Sequence, residues 1–134
     1  MLRRLQLILT LILLALAGIN PATARGAMPA EDRWNLQHIA GLPAEIRSAI
    51  AKYASLCGGT LAAEHAFALY YRRGAVNLIG LHFEHLRCDN RAAICTANGC
   101  LHQVYVSTGG QYHLLSSSYM PELDLTRIKV APQR

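Results

Sequence analysis

The sequence predicts an α+β domain: one N-terminal helix packed on a small antiparallel sheet of four to five strands, stapled by disulfides. Three observations carry that expectation. Apolar residues Ile46, Ala49, Ile50, Tyr53 and Leu56 recur at three- and four-residue steps, the period of a helix with one buried stripe. Beyond them the period shortens toward that of strands, and turn residues punctuate the chain as in successive hairpins. A helix followed by a run of strands is the order expected of segregated α+β layers. Finally, Cys57, Cys88, Cys95 and Cys100 make an even cysteine count in a short chain, the mark of a disulfide framework in an exported domain.

Export is read from the opening residues. Arg3 and Arg4 precede the apolar run Leu5 to Ile19, Gly18, Asn20 and Pro21 break it, and Ala22-Thr23-Ala24 supplies small residues for a signal peptidase. The expectation is a secretory signal over residues 1–24. The run falls short of the ~20 apolar residues of a bilayer span, so no transmembrane span is expected in the mature form. Residues 25–42 hold no sustained period and read as an irregular arm, with Trp34, Leu36 and Ile39 as candidates to tuck onto the core; residues 43–134 form the single domain. The formal net charge of +5 falls to +3 once Arg3 and Arg4 are removed. No Lys/Arg run exceeds two residues, so the phosphate-neutralising stripe of nucleic-acid binders is missing.

Each element has a local reason. Pro43 suits a first helical turn and Glu45 faces the positive end of the dipole. Gly58-Gly59 ends the helix, and Cys57 rides its last turn. Strands follow near 66–71 and 75–83, turned at Arg72, Arg73 and Gly74. A second hairpin has strands near 101–106 and 111–117 joined by Ser107 to Gly110, and a last strand is expected over 123–130.

The cysteine spacings x30, x6 and x4 lack the close C-x2-C pairs of zinc sites and of thioredoxin-type exchange. Three disulfide pairings are possible. Asn98-Gly99 in "CTANGC" accept positive φ cheaply, which favours Cys95 with Cys100. Cys57 with Cys88 then closes a longer loop, a constraint of roughly 3–4 kcal/mol on loop-entropy grounds.

With these features in hand, the chain resembles a group of small secreted, mostly uncharacterised alphaproteobacterial proteins. The shared features are "LPAEI" opening a helix, "CGG" ending it, a hairpin, "RC" leading into C-x6-C-x4-C, a "VYV" strand and a "GGQY" turn, over residues 42–117. Such proteins commonly carry an acidic D-x-N-x-D-G-x-x-D loop in the hairpin, similar to a calcium-binding loop. Aligned on Gly74, its ligand positions fall on Leu69, Tyr71, Arg73 and Asn77. Calcium takes about six or more oxygens, so this loop is degenerate. The resemblance implies fold and location, and no activity.

Candidate chemistry is sparse. His82 and His85, with two residues between them, point to opposite faces if both lie on one strand. With a four-residue turn at 107–110, Val104 faces His113 and His102 lies diagonally from it, about 7–8 Å away. That pair is a weak metal candidate without an evident third ligand, and no metal or cofactor is expected. No G-x-S-x-G, H-E-x-x-H or glycine-rich phosphate loop occurs, so no catalytic activity is expected. The exposed-contact candidate is Tyr70, Tyr71, Arg72 and Arg73 at a hairpin tip. The functional expectation is an exported, periplasmic or extracellular module that binds a partner protein or envelope component. The alternatives are an inhibitor of a secreted enzyme and a histidine-based periplasmic metal-binding protein.

Overall fold

The computed structural model describes residues 32–130 apart from residue 108. The expected signal over 1–24 and the start of the arm lie outside these residues. No helix among the described residues is long and apolar enough to cross a membrane.

The architecture is α+β; among the described residues three short α-helices precede five antiparallel strands. Helix α1 spans Gln37–Ala40, inside the segment expected to be irregular; Asn35 Oδ1 accepts from the Gln37 N–H at 2.8 Å and steadies its start. The expected amphipathic helix is present as α2 (Ala44–Ile50) and α3 (Tyr53–Leu56). Ala51 and Lys52 between them keep right-handed helical torsions. There the Ala54 N–H bonds Ala51 O at 3.0 Å, a tighter i→i+3 link that separates the two pieces. The buried stripe is Ile46, Ile50, Tyr53 and Cys57, whereas Ala49 and Leu56 face solvent. The stripe is thus narrower than the sequence expectation.

The strands are β1 (Ala68–Arg73), β2 (Val76–His82), β3 (Cys95–Thr96), β4 (Gly99–Ser107) and β5 (His113–Met120). β1 and β2 form a hairpin whose last pair is Arg73↔Val76. The turn is therefore Gly74-Ala75, and Arg72 and Arg73 belong to the strand. β4 pairs with β2 through residues 102–107 and with β5 through residues 100–106. The short β3 pairs back through Cys95↔Cys100 and Thr96↔Gly99. Gly99 has φ +110°, and a Cβ there would sit 2.2 Å from the Met120 carbonyl oxygen. That position combines a left-handed torsion with backbone contact, so only glycine fits.

Two disulfides, Cys57–Cys88 and Cys95–Cys100, are formed as expected. The first ties the end of α3 to the chain beyond β2. The second staples the β3–β4 turn.

The sheet is covered on both faces, and alternation along β2 and β4 sorts the residues. On one face Ile79, Leu81, Leu101 and Tyr105 pack with Ile46, Ile50 and Tyr53 of the helices. Phe83 anchors that layer, with edge-to-face rings 4.8 Å from Tyr53 and 5.5 Å from Phe67. On the other face Leu78, Val104 and Val106 pack with Leu123 and Leu125. Here the structure corrects an expectation: residues 123–130 form no strand. Asp124 Oδ1 accepts from the Thr126 N–H at 2.9 Å and from Thr126 Oγ1 at 2.6 Å, curling Leu125–Arg127 into a 3₁₀ turn. The alternation of Leu123 and Leu125 serves a cover segment as well as it would serve a strand.

Gly80 marks how closely that cover approaches. A Cβ at Gly80 would lie 2.9 Å from a Leu125 methyl and 3.1 Å from a Leu123 methyl. Because leucine tips can rotate, Gly80→Ala is expected to change stability little. Gly80→Val cannot be absorbed that way and should cost about 1–3 kcal/mol. Urea midpoints would measure this, and faster proteolysis within 121–130 should accompany the valine variant alone. Equal stability of all three proteins would refute the close layering.

Candidate functional site

The four residues of the "YYRR" stretch separate into two roles, because neighbours on β1 face opposite ways. Arg73 turns toward the cover segment. It donates to Ile128 O at 3.1 Å and to Thr126 O, with its guanidinium 5.7 Å from the Tyr71 ring centre. Tyr71 itself packs on the Leu123/Leu125 cluster. Both therefore hold the fold. Tyr70 is 63 % exposed, and exposed Arg72 donates to Gly74 O at 3.2 Å. With Asn77 and Tyr112 they border a shallow depression of about 130 Å³. Tyr70 also borders a second depression, of about 320 Å³, lined by His38 and His65.

A concavity of about 450 Å³ lies beside the Cys57–Cys88 disulfide and is lined by Trp34, Thr60, Arg87, Asp32 and Asp89 among others. Trp34 is half-buried with the Arg33 guanidinium 5.1 Å from its ring centre. Of the arm residues expected to tuck in, Ile39 packs against the core, while Leu36 is exposed.

The histidines are arranged differently from the sequence expectation. His113 pairs with Val106, and a β-bulge between Val104 and Tyr105 shifts β5 so that His102 faces Ser118. Four residues of β4 thus separate the levels of His102 and His113, about 13 Å at the strand rise. His113 is exposed. The two do not form a pair, because the β4–β5 connection is longer than the four-residue turn expected.

His102 instead lies directly opposite His82 across β2 and β4. The rings are edge-to-face with centres 5.0 Å apart. β2 ends at His82, and the 3₁₀ turn Phe83–His85 brings Glu84 back over the pair. Glu84 Oε1 is 3.7 Å from His82 Nδ1, and Glu84 Oε2 is 3.7 Å from His102 Nε2. These are ion-pair separations, too long for hydrogen bonds. His102 is 1 % exposed at its side chain, His82 9 % and Glu84 31 %. One ligand atom from each of the three lies within 4.8 Å of the others. Burial pushes the His82 pKa down, against the pull of the Glu84 carboxylate and with His102 adding to the fall. The neutral imidazole, the form that ligates metals, is thereby favoured.

His82 and His102 lie twenty residues apart in the sequence, with nothing local to join them. The available signal was the recurrence of Leu-His in "GLHF" and "CLHQ", residues 80–83 and 100–103, on two strands that pair in register.

His85 is held elsewhere. Its Nδ1 and Glu64 Oε2 are 2.7 Å apart, and Glu64 Oε1 accepts from Arg33. Glu64 thus meets His85, while Glu84, the neighbour of His85 in the sequence, meets His82 and His102. The chain Arg33–Glu64–His85 joins residues that lie far apart in the sequence.

The chain matches no protein-family model, no curated protein and no solved structure.

The hydrogen bonds from His85 and then Arg33 hold the Glu64 carboxyl below its ordinary pKa. A carboxyl depressed by folding stabilises the fold above its unfolded value, about 4.3, and loses that contribution as pH falls through the folded value. Glu64→Gln should therefore cost roughly 1–2 kcal/mol near neutral pH. The gap to wild type should hold down to the unfolded value of about 4.3 and narrow as pH falls below it. Urea midpoints between neutral and acid pH test this; a constant gap would dissociate Glu64 ionisation from stability.

Proposed function

We propose that this chain is an exported, disulfide-held binding module that engages a partner protein along β1. The observation that carries the reading is the exposed Tyr70 on an edge strand. Among the described residues β1 pairs only with β2, so its outer edge offers backbone N–H and C=O groups to an incoming extended segment. Tyr70 is a large amphipathic contact that orders at small entropic cost, and Arg72 adds a charge that suits an acidic residue on the partner.

The two disulfides support an extracytoplasmic setting, where thiols become oxidised. They also support a recognition role, because they hold the sheet rigid beneath the surface and reduce the ordering that binding must overcome. The expected secretory signal and the resemblance to small secreted proteins point to the same compartment.

One preparation tests both parts. Chain recovered from the host envelope is expected to have the mass of residues 25–134 less four hydrogens, one pair for each disulfide. Used as bait, that form should capture an envelope partner, and Tyr70→Ser with Arg72→Glu should weaken capture at least about tenfold. Lys129→Glu, an exposed charge reversal on the cover segment, should leave capture unchanged. An intact signal with free thiols would overturn the location. Capture indifferent to Tyr70 and Arg72 would overturn the surface.

A further inference from the structure

Among the described residues, the buried side-chain polar atoms that no protein group satisfies are His82 Nε2, Glu84 Oε2, His102 Nδ1 and His102 Nε2. All belong to one cluster. An unsatisfied buried donor or acceptor costs about 1–3 kcal/mol, and this sheet face is otherwise built from Leu78, Val104 and Val106. An apolar pair, like Leu78 opposite Val106 on the same face, would fill the place without that cost. Packing alone therefore leaves the His82–His102 pair unexplained.

We infer that His82, Glu84 and His102 form a binding site for a divalent transition-metal ion of the zinc and copper(II) class. Two imidazoles and one carboxylate are the donors such borderline ions take. The set is wrong for calcium or magnesium, which want oxygen ligands throughout. In a tetrahedral site with bonds of about 2.0–2.1 Å, ligand atoms sit about 3.3 Å apart. The two carboxylate–imidazole separations are 3.7 Å, each to a different carboxylate oxygen, and one ligand atom from each residue lies within 4.8 Å of the others, so closing the set needs side-chain movement of at most about 1.5 Å. Glu84 neutralises one of the two positive charges of the ion, beside two rings held by the strand pairing.

The scaffold holds each ligand from a different direction. His82 and His102 are fixed by direct pairing of β2 with β4. Glu84 is carried by a turn that Arg91 grips: its Nη1 donates to Glu84 O at 3.3 Å and to Leu86 O at 3.5 Å. The other end of that guanidinium rests against Cys95 Sγ at 3.3 Å and Cys100 Sγ at 3.6 Å. With 31 % of its side chain exposed, Glu84 opens the site to solvent, the route by which an ion arrives. Three protein donors leave a further position for water or another ligand.

The test uses the full chain, exported, oxidised and free of any polyhistidine tag. Zinc sulfate and copper sulfate are titrated calorimetrically, with calcium and magnesium chlorides as controls. The expected result is saturable binding of one zinc or copper ion per chain, a raised Tm, and no response to calcium or magnesium. Cobalt(II) should show the visible bands of a low-coordinate nitrogen–oxygen site. Glu84→Gln changes a partly exposed side chain, so the fold should persist, and it should weaken binding at least about tenfold. His102→Gln should abolish the cobalt bands. His113→Ala, an exposed histidine far from the cluster, should change nothing. No saturable binding would overturn the site, as would affinity that survives both cluster variants or is lost with His113→Ala. Circular dichroism and disulfide content separate loss of ligands from loss of fold. Partner capture through Tyr70 does not enter these readouts, so this site and the β1 surface stand or fall separately.

Discussion

The pairing of β4 along both edges, combined with cover on both faces, is the constraint from which the remaining features of the domain follow. Residues 101–107 are all buried, so every polar side chain on this strand must be accommodated inside the protein. Gln103 manages this through Tyr105 Oη, which donates to its Oε1 at 3.0 Å. Ser107 accepts from the Gly110 N–H at 3.1 Å. His102 has neither solution, and the chemistry assigned to it follows from that contrast. Buried neighbours on the same strand are satisfied by protein, while His102 is directed at a second imidazole and a carboxylate.

Such a central strand needs layers above and below it, and this small chain supplies them unequally. The helical layer is aromatic, apolar and cross-linked to the chain after β2 by Cys57–Cys88. The opposite layer is a single irregular segment, fastened by leucines and by Arg73. A core of this size leaves little surplus stability, which accounts for two cross-links. The longer loop is worth more in lost unfolded-state freedom, about 3–4 kcal/mol against about 2 for the short one.

Legibility in the sequence followed the range of the interaction. The amphipathic helix, its glycine stop, the hairpins and the disulfide pairing depend on spacing within a few residues or on compartment, and these could be read. The C-terminal cover could not, because an Asx-type turn at Asp124 and a strand share the Leu-x-Leu pattern until tertiary contacts choose between them. Nor could the β4–β5 register. A bulge near Leu115 reverses the alternation partway along β5, so one residue count cannot fit both halves. The His82–Glu84–His102 cluster depends on a pairing between strands separated by a stapled loop, whose length says nothing about register. Only the repeated Leu-His hinted at it.

Arg73 carries a lesson for how this domain is dissected. It shares a dipeptide with Arg72 and is exposed as Arg72 is, so a scan that reverses both charges would treat them as equivalent surface residues. Yet Arg73 is a latch whose release frees the floor of the sheet, and a partner lost on its substitution would report a loosened scaffold. Adjacent arginines here belong to different halves of the molecule's economy, one facing outward and one locking the door from inside.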